Sequence, residues 1–196
     1  MNLEQRIHES FQASIETKAQ ALEVLPTLIV RASKMIIESF LANGKVLSCG
    51  SGSSAFISQH LVSLLMDRFE QDRPGLPALS LTGDGANNYS LSRNQPFEQV
   101  FASQVRSLGN EKDILLVCCS DGSCPSIIQA ITEAQDRGIK IIALTGGDGD
   151  EVTNKLVAGD LEIRVSAKQA ARIQEVHLLT IHCLCDLIDH QLFGGE

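Results

Sequence analysis

The stretch Ile114-Leu115-Leu116-Val117-Cys118-Cys119-Ser120-Asp121-Gly122-Ser123-Cys124-Pro125 decides the fold. Six apolar residues in a row read as a buried strand, and the Ser/Gly turn after them ends it. Pro125 suits the first position of a helix, where its missing N–H costs nothing. The same grammar appears earlier. Lys45-Val46-Leu47-Ser48-Cys49 reads as a strand, Gly50-Ser51-Gly52-Ser53-Ser54 as a turn, and Ser54–Glu70 as a helix. Glycines let backbone approach an anion, and free helix N–H groups with nearby hydroxyls supply donors.

Working outward, Pro77–Leu81, Ile139–Leu144 and Leu161–Val165 complete five expected strands. Between them lie helical segments at Pro96–Leu108, Pro125–Asp136 and Asp148–Val157, and a final helix from about Gln169 to Leu192. Thr82–Ser92, polar and rich in Gly and Asn, reads as a loop or weak helix at a strand's end. Leu3, Ile7, Phe11, Ile15 and Leu22 predict a helix over residues 2–24. Pro26 is expected to break it, and a second helix is expected to run on to the C-cap at Gly44. The whole chain 1–196 therefore predicts one α/β domain. Its five-stranded, mainly parallel sheet carries helices on both faces, with a helical pair over 1–44. Ligands of such sheets bind beyond the carboxyl ends of the strands, where both Gly/Ser turns lie.

The formal net charge is −8, and Lys and Arg are scattered, so a nucleic-acid backbone is not an expected direct partner. No apolar run is long enough to span a bilayer, and the N-terminus opens directly into a charged amphipathic helix rather than a signal peptide. The cytoplasm is the expected compartment. Of six cysteines, Cys49, Cys118, Cys119, Cys183 and Cys185 fall in or at the end of apolar runs and read as free buried thiols. Cys124 differs, standing at a helix N-terminus, where a thiol is more acidic. No Cys-x-x-Cys occurs.

The two turns, with Arg73-Pro74-Gly75-Leu76-Pro77-Ala78, Ala143-Leu144-Thr145-Gly146, and Ala171-Arg172-Ile173-Gln174-Glu175-Val176-His177 followed by His182, form a specific set. On these residues the chain resembles the sugar isomerase (SIS) family, in particular its phosphoheptose isomerases. Within that group it resembles most the DiaA-like proteins that associate with the replication initiator DnaA. The resemblance implies a homotetramer with sites at subunit boundaries, the 1–44 helices serving oligomer packing. It implies a sugar or sugar-phosphate site at Gly52, Ser53, Ser54, Ser120, Asp121, Ser123 and Cys124. It implies a metal site, zinc if any, at His60, Gln174 and His182, with His60 and His182 as the groups moving protons in an active enzyme.

This chain departs from the isomerase pattern where chemistry matters. The second turn's serines are replaced by Cys119, Asp121 and Cys124, and an ionised Asp only accepts. A carboxylate near a phosphate repels it, so Asp121 points to a neutral or amino-bearing ligand. The family's glutamate, one helical turn after His60, is Leu64, which neither moves a proton nor binds zinc. The family's acid before Arg172 is Ala171, and its Gly-Asn-Asp is Ser92-Arg93-Asn94. From these losses the first expectation is a non-catalytic tetrameric adaptor with no cofactor, binding DnaA through Leu192 and Phe193 at the end of the last helix. The alternatives are a zinc-assisted sedoheptulose 7-phosphate isomerase, and a SIS module that senses a sugar derivative without turnover.

Overall fold

Alternation along each strand sends neighbouring side chains to opposite faces, and in the middle of the chain both faces are covered. A computed structural model describes residues 2–148 and 150–194. Its elements are α1 (Leu3–Leu41), β1 (Val46–Gly50), α2 (Ser54–Met66), β2 (Ala78–Ser80), α3 (Gly85–Asn94), a 3-10 turn (Phe97–Gln99) and α4 (Val100–Leu108). Then come β3 (Ile114–Cys119), α5 (Pro125–Asp136), β4 (Lys140–Gly146), α6 (Asp150–Lys155), β5 (Leu161–Val165) and α7 (Ala170–Phe193). The strands form one sheet in the order β2-β1-β3-β4-β5, with every pairing parallel. Ile114, Leu116 and Cys118 of β3 enter a core shared with α1, α2 and α7. Leu115, Val117 and Cys119 enter a second core with α4 and α5. Helices thus cover both faces, which is why β3 reads as an unbroken apolar run and β1 as one interrupted only by the buried Ser48.

The break expected at Pro26 does not occur. α1 is one helix of 39 residues with Pro26 inside it. Pro26 and Leu22, whose carbonyl the ring displaces, both lie on the exposed face. The freed carbonyl can therefore turn to water. Leu25, Ala32, Met35, Ile36 and Ile37 bury the other face against the sheet and α7, offsetting the lost bond. Thr82–Ser92, expected as a loop or weak helix, contributes most of α3, which is capped where Asp84 accepts from the Asn87 N–H at 2.9 Å.

Two buried polar contacts fix α7. Arg73 donates from Nε to Asp189 at 2.7 Å, with side chains only 1% and 4% exposed, and its other nitrogens reach the carbonyls of Leu64 and Leu65. His177, fully buried, lies 2.9 Å through Nε2 from the carbonyl of Thr145 at the end of β4. A carbonyl only accepts, so Nε2 carries the proton and Nδ1, which has no partner, is bare. Burial pulls the His177 pKa down to about 4, and the Thr145 bond opposes this only in part.

Each contact has a measurable consequence. Arg73→Met leaves the Asp189 carboxylate buried and unpaired and should cost about 3–5 kcal/mol of stability in urea unfolding. For His177, the folded pKa lies below the unfolded value of 6.5, so between about pH 4 and 6.5 the unfolded chain binds the extra proton. Stability should therefore fall as pH drops through that window. This one group should account for about 3 kcal/mol by pH 4, and His177→Gln should flatten the profile.

Candidate functional site

The strand order reverses between β1 and β3: the chain runs outward to β2 on one side and to β4 and β5 on the other. Such a switch point leaves a crevice beyond the strand ends, because the connecting helices depart to opposite faces. Both Gly/Ser turns stand there. The backbone continues the pairing past β1, with the Ser51 N–H donating to the carbonyl of Cys118 at 3.1 Å. Gly52 (φ 54°) and Gly122 (φ 68°) take the left-handed conformation that each turn needs.

A cleft of about 310 Å³ opens between the turns, lined by Gly50, Ser51 and Gly52 on one side and Cys124, Pro125 and Ser126 on the other. Thr82, Asn88, Phe97 and Glu98 close its far wall. Sequence reasoning missed these four, although Thr82 and Asn88 stand in the polar run at the carboxyl end of β2, which was a usable signal for those two. Thr82 accepts from the Gly50 N–H at 3.2 Å, so it also shapes the first turn.

The expected ligand residues divide by place. Gly52 and Cys124 line the cleft. Ser53 and Ser120 face Gln174, whose Nε2 donates to them at 2.6 and 3.4 Å. Ser54 is fully buried at the start of α2, and its hydroxyl has no partner. Ser123 is exposed. Asp121, expected to repel a phosphate, accepts a hydrogen bond from the Cys119 thiol at 3.0 Å. Its carboxylate is thus held toward the end of β3. Burial first, then Asp121, pushes the Cys119 pKa up to about 12, so this sulfur stays a thiol. Cys124 Sγ lies 3.2 Å from Ser126 Oγ.

His60 and His182, 122 residues apart in sequence, meet at 3.3 Å through their Nε2 atoms. Phe56 stacks on His60 with ring centroids 5.9 Å apart, and Phe69 lies 5.7 Å from His182. Burial and the neighbouring His182 lower the pKa of His60 below the ordinary histidine value. The contacts Ser53–Gln174 and His60–His182 show that α2 and α7 run side by side in the same direction. At the standard rise, about 10–12 Å of helix separates the two contacts.

The three expected metal ligands do not gather as the resemblance implied. The Gln174 amide is turned to the serines, and Leu64 stands where a carboxylate would complete the His60 face. Among the described residues no three His, Cys, Asp or Glu groups are placed to hold a metal ion. The two imidazoles therefore form half of a tetrahedral zinc set, and the residues present do not fit a four-ligand site. At the other end of α7, Phe193 is 42% exposed, while Leu192 packs on the core.

Comparison with known proteins places this geometry in context. The SIS domain model matches residues 9–146. A phosphoheptose isomerase of Chromohalobacter salexigens is 48% identical over 195 residues, covering 100% of this chain and 99% of that one. One of Alkalilimnicola ehrlichii is 47% identical over the same length. The structure of a phosphoheptose isomerase from Francisella tularensis superimposes with a TM-score of 0.94 at 44% identity, covering 97% of this chain and 100% of that one. The phosphoheptose isomerase GmhA of Neisseria gonorrhoeae gives 0.90 at 34% identity, covering 96% and 99%. These findings correct the adaptor expectation. Relatives matching end to end at nearly half identity are named for isomerase activity, and a DnaA partner for Leu192 and Phe193 finds no support among them. Leu64, Cys119 and Asp121 depart from the isomerase pattern within a fold that superimposes on a phosphoheptose isomerase over 97% of this chain. The chain belongs to the SIS-domain family and stands, over its full length, among its phosphoheptose isomerase-like members.

Proposed function

We propose that the protein is a sugar-phosphate isomerase whose substrate is a seven-carbon ketose phosphate of the sedoheptulose 7-phosphate kind. One observation carries this reading: the His60–His182 contact lies about 10–12 Å along α2 and α7 from the two Gly/Ser turns. An extended seven-carbon chain with a terminal phosphate covers a comparable span. Its phosphate would meet the N–H groups and hydroxyls at the turns, and its carbonyl end would reach the histidines. Isomerisation moves one proton from C1 to C2 and another from O1 to O2. Two imidazoles in contact can take a proton on one ring and return one from the other. Phe56 stacks on one of these rings and Phe69 lies beside the other.

The same reading includes self-association. Residues 3–12 are all exposed, and Leu3, Ile7, Phe11 and Ile15 form a four-residue stripe on a helical arm that this chain does not cover. A second copy is the occupant proposed, as in the homotetramer implied by the resemblance. A second functional reading, sensing without turnover, is favoured by Leu64 alone, since it removes the carboxylate beside His60.

Incubation of the purified protein with sedoheptulose 7-phosphate, followed by NMR of the products, should show an aldose phosphate. His182→Asn should lower kcat by about 10²–10⁴-fold with little change in binding. Saturable binding with no product from the wild type would favour the sensing reading. In light scattering, Phe11→Asp should shift the assembly toward smaller species while the far-UV spectrum stays unchanged.

A further inference from the structure

The 3.3 Å between His60 Nε2 and His182 Nε2 suits two different arrangements. Two imidazoles sharing one proton lie about 3 Å apart. Two nitrogen ligands of a tetrahedral zinc, each about 2.0–2.1 Å from the ion, also lie a little over 3 Å apart. The other donors decide between them. One turn along α2, on the same face as His60, stands Leu64, packed against the core. On α7, the Gln174 amide is spent elsewhere: its two N–H groups match the two hydroxyls, Ser53 Oγ at 2.6 Å and Ser120 Oγ at 3.4 Å.

Ser53 closes the turn after β1, and Ser120 opens the turn after β3. Gln174 stands on the second turn of α7, so its single amide ties three separate segments together at the mouth of the crevice. A resident ion bridging α2 and α7 would do the same mechanical task. We infer that this crevice is organised without a resident metal: Gln174 is the positioning residue that holds both Gly/Ser turns to α7, and Leu64 is the substitution that removes the ion. The inference concerns the crevice of the proposed isomerase, but metal content and amide protection are read without turnover, so either proposal can fail alone.

The experiment has two arms on the full-length chain. In the first, protein purified without chelator is assayed for zinc by mass spectrometry and its melting followed with added zinc chloride. The wild type should carry well under one zinc per chain and show no rise in Tm. Leu64→Glu, which returns a third donor beside the imidazoles, should take up zinc and gain about 5–10 °C at roughly a hundredfold excess over Kd. One zinc per chain in the wild type, or a comparable rise in its Tm, would overturn the inference, and this holds whether or not the variant folds.

In the second arm, amide hydrogen exchange is measured on the apo protein. Gln174→Met keeps the length and removes the donors. It should speed exchange at 50–54 and 119–124 together, with the strands unaffected. Gln174→Lys, which restores N–H donors, should return part of the protection. Unchanged exchange in Gln174→Met would remove Gln174 from its role.

Discussion

Everything at the ligand end depends on the register in which β1 lies against β3. Val46 through Gly50 pair with Ile114 through Cys118, and the Ser51–Cys118 bond carries the pairing one step beyond the strand. Parallel strands in register end at the same height. The two turns therefore emerge side by side, and the helices that follow them diverge to opposite faces. A one-residue slip of β1 would turn Cys49 out of its core and offset the two turns. Gly146, at the end of β4, tightens the same region. A Cβ there would lie 2.5 Å from Ile173 Cδ1 and 2.6 Å from the Ser120 carbonyl oxygen. The absence of a side chain lets α7 and the second turn close on β4, which brings Gln174 within reach of Ser120.

The inner strands β1, β3 and β4 were legible because they are buried on both faces and read as largely apolar runs, bounded by Gly, Ser and Pro. The N-terminal helix was misread at Pro26 for an equally physical reason. A proline's local cost is visible in the sequence, but the packing that overrides it is not. The buried residues on the second half of α1 find their partners on strands and a helix tens of residues away. The weak pattern after β2 concealed a real helix because α3 buries no side chain fully and is held by a cap and by Gln104, which donates to Asn88 and to the carbonyl of Leu81.

At the site, residue types were legible and pairings were not. Spacing on α7 placed Gln174 and His182 two turns apart, which rules out a direct contact but says nothing about what each would find. Gln174 finds two serines from different turns, and His182 finds a histidine on α2. Asp121 shows the same limit from the other side. As a letter beside a phosphate turn it signals repulsion. In the fold a buried thiol two residues back holds its carboxylate, and no periodicity announces that bond.

The lining of the cleft carries a consequence of its own. Among the described residues of this chain, no Lys or Arg lines the cleft, and Glu98 adds a negative charge at the far wall. An anion held there would be met by N–H groups at the starts of α2 and α5, by hydroxyls, and by the positive ends of two helix dipoles, with no counter-charge from the described lining of this chain. Recognition by fixed dipoles differs from recognition by an ion pair. The donors cannot follow an anion that shifts, so affinity depends on how rigidly the two turns are held. Short-range dipoles at a partly enclosed site are also less exposed to salt than a surface ammonium. The backbone register, the close approach at Gly146 and the Gln174 amide then cease to be scaffolding. In a pocket without a cation, the stiffness of its turns sets the strength with which it can hold a charge.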